Sequence, residues 1–104
     1  MVSAPRETEG APRRAADVVV RDVAGETFLV PVRGSLADMN DLFALNETGA
    51  FLWPLLDGAH RPAELAAAVA LEFEVDEQAA ARDVDVFLRR LREAELLDSG
   101  RTEA

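Results

Sequence analysis

Few side chains in this sequence of 104 residues could catalyse a reaction or bind a metal. His60 is the single histidine, and cysteine is absent. A zinc site needs several histidine or cysteine ligands, and an acyl-transfer triad needs a nucleophile, a base and an orienting acid. Neither set is available around His60, and no phosphate-binding glycine loop occurs. We interpret His60 as an exposed turn residue and expect no catalytic residue, no metal site and no cofactor.

The remaining polar patterns have structural explanations. Asp83 and Asp85 stand two positions apart on a predicted helix, so their carboxylates point away from each other and do not form a catalytic pair. Asn46-Glu47-Thr48 matches a glycosylation sequon, but Asn46 fits better as a helix N-cap. The first 16 residues hold no apolar secretory segment, and no apolar run is long enough to span a membrane. Together with the lack of cysteine, this indicates a cytoplasmic protein.

The charge of the chain argues against nucleic acid and anionic membranes as partners. The formal net charge is −9, which repels both at long range. The predicted third helix carries Arg82, Arg89, Arg90 and Arg92. The same helix carries six carboxylates, so its own balance is negative and does not suit contact with phosphates.

The elements that must position any binding site change in type once along the chain. Residues 1–16 are predicted to be a disordered N-terminal tail, residues 17–98 a single domain and residues 99–104 a C-terminal tail. Residues 18–20 and 27–32 form a predicted hairpin around a tight turn at Ala24-Gly25. Pro31 lacks an N–H, which predicts an edge position or a kink. After a loop at residues 33–40, the short apolar run Leu42–Leu45 is the third predicted strand.

Three helices are predicted after Asn46. The first runs from the Asn46 cap to Gly58, buries Ala50, Trp53 and Leu55 or Leu56, and is kinked by Pro54. The second begins at Pro62, and Phe73 is placed in the connection that follows it. The third is capped by Asp76 and ends near Glu95, with Leu96 and Leu97 folded back. Its core stripe comprises Ala80, Val84, Phe87, Leu88 and Leu91.

The order of three strands followed by three helices predicts an α+β fold rather than a doubly wound sheet. Three short helices joined by tight turns also permit a winged helix-turn-helix arrangement. In a three-stranded sheet joined in sequence, the first or the third strand must be an edge. An edge strand presents unpaired N–H and C=O groups, which a partner strand can satisfy.

The third helix has a second flank outside its core stripe. Ala79, Asp83, Val86 and Arg90 share this flank at helical spacing. Val86 lies away from the core stripe, and two interpretations of it remain open. It is either an ordinary exposed valine or one wall of a groove.

Several of these segments together resemble the PqqD-like family, whose members are also called RiPP recognition elements. The pattern consists of Leu45-Asn46-Glu47-Thr48-Gly49-Ala50, Phe51-Leu52-Trp53, Leu56-Asp57-Gly58, Pro62-x-Glu64-Leu65, Asp83-Val84-x-x-Phe87-Leu88-x-x-Leu91 and Leu96-Leu97. The resemblance covers residues 17–98. It implies three antiparallel strands followed by a winged-helix-like bundle of three helices. Glu95 departs from the pattern, because the family commonly has glycine there.

The resemblance also implies a function. Such domains bind the leader segment of a ribosomally made precursor peptide as an added strand and deliver it to a radical SAM enzyme, a cyclodehydratase or a leader peptidase. The pathways served include pyrroloquinoline quinone biosynthesis and other natural products. Carried onto this sequence and joined with the helix flank, the expected peptide contacts are Asp41, Leu42, Phe43, Ala44, Leu45, Ala79, Asp83, Val86, Phe87 and Arg90.

The expected protein is therefore a non-catalytic peptide-binding domain, a monomer or a dimer, that uses no nucleic acid or membrane partner. The alternative from another class is a winged-helix regulator that binds DNA or protein, and a third is a structural subunit of a larger complex. The sequence predicts that Leu42→Asp or Val86→Asp weakens peptide binding while the fold survives.

Overall fold

The computed structural model describes residues 10–32 and 42–98. Three strands come first: β1 (Val18–Val23), β2 (Glu26–Pro31) and β3 (Phe43–Leu45). Three α-helices follow: α1 (Glu47–Leu52), α2 (Pro62–Phe73) and α3 (Glu77–Glu93). The sheet is antiparallel with the order β1-β2-β3, which confirms the predicted α+β class.

The turn between β1 and β2 lies where the sequence predicts it. Val23 pairs with Glu26, which leaves Ala24 and Gly25 as a two-residue loop. Both have positive φ angles, 54° and 85°, as tight hairpin turns of the primed type require. The strands therefore enter the sheet with the right-handed twist that this kind of turn matches.

Pro31 belongs to the central strand, although the sequence predicted an edge or a kink. β3 pairs only with Thr27, Phe28 and Leu29, so β2 extends two residues beyond it. Pro31 is the last residue of β2 and lies opposite Val18 of β1. Because β3 does not reach that far, no ladder bond to β3 is needed at Pro31.

β3 is short and is oriented by its pairing with β2. It begins at Phe43, one residue later than predicted, and Leu42 precedes it as an exposed residue. Phe43 pairs with the fully buried Leu29, and Leu45 pairs with Thr27. Since side chains alternate along a strand, Phe43 and Leu45 face the helices while Ala44 faces outward. Phe43 and Leu45 pack against the hydrophobic core.

The first predicted helix is divided at Pro54. Asn46 caps α1 as predicted, because its Oδ1 accepts the N–H of Gly49 at 2.8 Å. The α-helix stops at Leu52, and a 3₁₀ turn at Trp53–Leu55 contains the proline near its start, where a missing N–H costs least. Trp53 and Leu56 are buried as expected, but Ala50 is exposed and Leu52 takes the core position instead.

Gly58 has the predicted left-handed conformation, with φ at 81°, but it does not terminate α1. It lies beyond the 3₁₀ turn, and its N–H donates to the Pro12 carbonyl at 2.9 Å. A Cβ on Gly58 would stand 2.7 Å from the Arg13 guanidinium. The left-handed backbone angle is what favours glycine here, since the Arg13 guanidinium is the far end of a flexible side chain and can move aside.

α2 begins at Pro62 as predicted and extends further than expected. Phe73, predicted in the connection, is its last residue and meets the ring of Phe51 edge-on, with 5.5 Å between centroids. Leu65, Ala66 and Val69 form its buried face. The residue that follows, Glu74, turns the chain with a φ of 55°.

α3 supplies the largest buried stripe. Asp76 caps it by accepting the N–H groups of Gln78 and Ala79. The helix ends at Glu93, two residues before the predicted position, and Leu96 folds back into the core with 1% exposure. Buried side chains of the predicted stripe are Ala80, Val84, Leu88 and Leu91, while Phe87 is half-buried.

Part of the predicted N-terminal tail is bound to the domain. Arg14 donates its backbone N–H to Leu56 and its guanidinium to the carbonyls of Trp53 and Pro54, at 3.1 and 2.8 Å. Ala15 donates to the Leu96 carbonyl, and Arg13 accepts the N–H of Asp98. Residues 13–15 thus bind both the chain that follows α3 and the 3₁₀ turn. The folded domain therefore starts before residue 17. Residues 1–9, 33–41 and 99–104, which include the predicted loop at 33–40, lie outside the described residues.

No helix in the described ranges has the length and apolar character needed to cross a membrane.

Candidate functional site

A groove with a volume of about 760 Å³ lies between β3 and α3 and is open to solvent. It is lined by three parts of the chain: residues 25–27 of the hairpin, residues 43–50 of β3 and the start of α1, and four side chains of α3. Those four are Asp83, Val86, Phe87 and Arg90. The groove thus follows the outer edge of the sheet and has a helix as its opposite wall.

The strand wall of the groove has a free edge. β3 pairs with β2 on one side, and within residues 10–32 and 42–98 no strand pairs with its other side. β1 is the edge at the opposite side of the sheet, so both outer strands are edges among these residues. Only the β3 edge borders the groove, because the lining contains β3 residues and none from β1.

The helix wall is a single face of α3. Asp83, Val86, Phe87 and Arg90 follow each other at spacings of three, one and three, which places them on one side of the helix. Val86 is 45% exposed and is part of the groove lining. Phe87 is half-buried and links this wall to the core beneath it.

Two aromatic rings join the walls at the base of the groove. Phe43 of β3 and Phe87 of α3 meet edge-to-face, with 6.5 Å between centroids and 63° between planes. The Arg90 guanidinium carbon lies 6.0 Å from the centre of the Phe43 ring, within reach of a cation–π attraction. Apolar contact between the two rings therefore fixes the distance between β3 and α3, and the positive charge of Arg90 lies at the rim of the groove.

The start of α1 and the hairpin turn also border the groove, although neither was predicted from the sequence as part of the site. Residues 46–50 and residues 25–27 are part of the lining. Asn46 therefore caps the helix and borders the groove at once. Strand pairing is the feature that could have indicated this part of the site. Because Thr27 pairs with Leu45, the β1–β2 turn must lie beside the end of β3. The register of that pair cannot be obtained from sequence without knowing the length of β3.

Two of the predicted contact residues that the structure describes are not found in the lining. Leu42 is 38% exposed and Ala79 is half-buried, and both lie outside it. Asp41 falls outside the described residues. The other predicted residues, in β3 and on α3, are brought together in one groove as expected.

Charges are unequally distributed around the groove. Glu26, Glu47 and Asp83 are carboxylates of its lining, and Arg90 is its one cation within the described residues. All four side chains are exposed. Such a surface suits hydrogen bonding and ion pairing with a polar ligand.

His60 lies elsewhere, in the turn before α2, as predicted. Its Nδ1 is 2.9 Å from Oδ1 of Asp57 and 3.1 Å from the Leu55 carbonyl. The hydrogen bond to Asp57 raises the pKa of His60, and burial opposes that shift. The pKa of Asp57 is lowered, first by the hydrogen bond from the Ala59 N–H and next by the hydrogen bond with His60. The two side chains are 40% and 42% exposed and do not line the groove, so we assign the pair to the turn.

Among residues 10–32 and 42–98, no three histidine, aspartate or glutamate side chains lie close enough together to hold a metal ion.

Comparison with known proteins agrees with this geometry. Residues 26–97 match the family described as coenzyme PQQ synthesis protein D (PqqD). A solved structure described as "TbiB1 in Complex with the TbiA(beta) Leader Peptide" is similar, with 30% sequence identity and a TM-score of 0.66. The similarity covers 88% of this chain and 99% of that one. No curated protein matches the sequence.

The family match includes β2, β3 and all three helices, and so contains the whole groove except Gly25. The predicted membership is confirmed: this chain belongs to the PqqD family.

Proposed function

We propose that the chain is a non-catalytic recognition domain for the leader segment of a ribosomally synthesised precursor peptide. The observation that carries this proposal is the free edge of β3 beside the groove against α3. The similarity to TbiB1, which was solved with a leader peptide, supports it. We propose Phe43, Ala44 and Leu45 as main-chain contacts and Asp83, Val86, Phe87 and Arg90 as side-chain contacts.

Strand addition explains how so short an edge gives affinity. An extended peptide laid along β3 satisfies the unpaired N–H and C=O groups of the edge. Each such hydrogen bond contributes about 0.5–1.5 kcal/mol net, so three residues of β3 supply only part of the binding energy. Apolar contact with Val86 and the Phe43–Phe87 pair must supply the rest.

Alternate side chains of the added strand determine selectivity. Every second residue of the peptide points into the groove, and the others point outward. The inward residues meet the exposed valine and the aromatic edge of the α3 wall. We therefore expect a ligand with apolar residues at alternating positions.

The role that follows is delivery of a substrate to a separate enzyme. A domain that holds the leader raises the effective concentration of the attached core peptide near the active site of its partner. The partner we propose is a radical SAM enzyme, a cyclodehydratase or a leader peptidase. The domain itself breaks no bond in this scheme.

Backbone methylation of the ligand tests strand addition directly. The probe is a synthetic leader segment of a short precursor gene adjacent to the gene of this chain, measured by calorimetry. N-methylation of single residues removes one N–H at a time, and only every second N–H of an added strand points at β3. We expect affinity to fall at alternate positions and to persist at those between. The proposal would be overturned if the loss of affinity did not alternate along the peptide, or if the unmodified leader did not bind.

A further inference from the structure

The two ends of the groove carry opposite charge. Arg90 lies over the ring of Phe43, at the start of β3. Glu26 precedes Thr27, which pairs with Leu45, and Glu47 follows Leu45 by two residues. The positive end is therefore at Phe43 and these two carboxylates are at the opposite end of the strand. Asp83 precedes Arg90 by seven residues on α3, about 10 Å along the helix axis.

Arg90 is not neutralised by its own helix. Arg89, the neighbouring arginine, forms an ion pair with Asp85 one turn earlier. At the four-residue spacing of the Arg89–Asp85 pair, the neighbours of Arg90 are Val86 and Ala94, which carry no charge. Glu93, three residues after Arg90, is a carboxylate on the same helix but forms no ion pair with it. Among the described residues no ion pair includes Arg90. A cation at the rim of an apolar groove is thus available to a ligand.

The Phe43 ring gives this cation a defined place. Its centre lies 6.0 Å from the guanidinium carbon, and the ring also contacts Phe87. At this distance the N–H groups of the guanidinium are still available to bind a carboxylate, and charge-assisted hydrogen bonds of this kind are roughly twice as strong as neutral ones.

We infer that Arg90 is a specificity-determining residue and that the groove orders the charges of its peptide. A carboxylate of the ligand pairs with Arg90 beside Phe43. Neutral or basic residues lie at the opposite end, since a carboxylate there faces Glu26 and Glu47. This inference rests on the proposed function, because it names the peptide class that the same groove accepts.

The geometry also sets a spacing. An extended peptide rises about 3.3 Å per residue, so the roughly 10 Å between Asp83 and Arg90 along α3 corresponds to about three residues of a peptide that lies parallel to the helix. Side chains on the same face of a strand are two or four residues apart. The ligand is then a peptide whose acidic residue precedes or follows its neutral or basic residue by two or four positions.

Selection from a random library tests the inference and does not require the natural ligand. A displayed library of twelve-residue peptides is selected against the wild-type chain, Arg90→Glu and Arg92→Glu. Arg92 is the matched control, since it is exposed on the same helix but is not part of the groove lining. We expect one position enriched in Asp or Glu with the wild type and Arg92→Glu, and enriched in Lys or Arg with Arg90→Glu.

Synthetic peptides then quantify the preference. An enriched peptide and its Glu→Lys form are titrated by fluorescence anisotropy. Arg90→Glu should weaken the Glu form by about tenfold or more and strengthen the Lys form, because charge pairs at an interface set the choice of partner. Arg92→Glu should stay within about twofold, as exposed charges outside an interface do. If Arg90→Glu unfolds the chain by circular dichroism, Arg90→Gln replaces it, with loss of the preference expected.

A further variant separates the failure of this inference from that of the proposed function. Binding that is lost in Val86→Asp but unchanged in Arg90→Glu overturns the charge order and leaves the groove as the site. Binding that survives Val86→Asp, or a selection that yields no binder, overturns both.

Discussion

The ring edge of Phe87 lies directly against Gly49. A Cβ at Gly49 would stand 3.1 Å from Cε1 of Phe87, and 3.2 Å from both Asn46 Oδ1 and Leu45 Cδ2. A Cβ at Gly49 would force one of these neighbours to shift by a few tenths of an ångström, so glycine lets the first turn of α1, the end of β3 and the groove-facing side of α3 approach this closely without strain. The width of the groove is therefore sensitive to the residue at this position.

Gly49→Ala is predicted to change binding more than stability. Alanine favours the helix by about 0.5–1 kcal/mol, which offsets part of the crowding. Phe87 must move by a few tenths of an ångström, and this displaces the ring that forms the base of the groove. We expect a melting temperature within a few degrees of the wild type and a severalfold loss of peptide affinity by calorimetry. Wild-type affinity would show that the position of Phe87 does not matter to the ligand.

Val86→Asp is predicted to weaken peptide binding by about tenfold or more, because it places a charge on the apolar wall of an interface. The fold should survive, since Val86 is 45% exposed. Leu71→Asp is the matched control: Leu71 is 83% exposed on α2 and lies outside the groove lining. Circular dichroism and calorimetry on both variants separate the two effects. Equal losses in both would contradict a role for the α3 wall.

Glu95→Gly is predicted to stabilise the chain. Glu95 has a φ of 62°, a left-handed angle that costs a residue with a Cβ about 1–2 kcal/mol. Glycine removes this cost but also has greater conformational freedom in the unfolded chain, which opposes part of the gain. The expected increase is about 0.5 kcal/mol in the free energy of unfolding by urea. Ala81→Gly, at an exposed position inside α3, should instead lose about 1 kcal/mol. A loss at both positions would mean that the contacts of the Glu95 side chain outweigh its backbone strain.

His60 is predicted to make stability fall as the pH rises through neutrality. Its pKa is raised in the folded chain, chiefly by the hydrogen bond to Asp57. The contribution of His60 to the free energy of unfolding is complete below the pKa of about 6.5 in the unfolded chain. It disappears as the pH rises past the higher pKa of the folded chain. His60→Gln should remove this slope in urea unfolding between about pH 5 and pH 9. The α-amino group titrates in the wild type and in the variant, so its contribution cancels when the two are compared. A variant with the wild-type slope of stability against pH would exclude His60 as the source of that slope.

Asp57 contributes a second pH dependence with the opposite sign. Its pKa is lowered, first by the hydrogen bond from the Ala59 N–H, so its stabilisation is present above the unfolded value and is lost as the pH falls through the folded one. Asp57→Asn should flatten the acid limb of the same unfolding series, below about pH 4. An acid limb identical to that of the wild type would contradict this assignment.

The local signals in the sequence were sufficient for most of the fold. The Ala24-Gly25 turn and the caps at Asn46 and Asp76 were predicted correctly, because each depends on neighbouring residues alone. Pro54 was expected to disturb the first helix, and it does so by converting its second half to a 3₁₀ turn.

The misplaced details depend on contacts between distant segments. Arg14 belongs to a segment with no apolar period, yet it is bound to the 3₁₀ turn through carbonyl groups that composition does not reveal. Ala50 was predicted to be buried in one stripe with Trp53, but Leu52 takes the core position and Ala50 instead borders the groove. The part of the groove formed by Glu26 and Thr27 follows from strand register, which no local pattern specifies.

The bond from Asp98 to Arg13 brings the two limits of the described domain side by side, at 2.8 Å between nitrogen and oxygen. Neither residue borders the groove. A domain whose first and last segments lie side by side can be inserted into a surface loop of a larger polypeptide through two short linkers, without distortion of its own backbone. The same architecture is therefore compatible with a separate domain and with an insert in a longer polypeptide, and the groove would be the same in both arrangements.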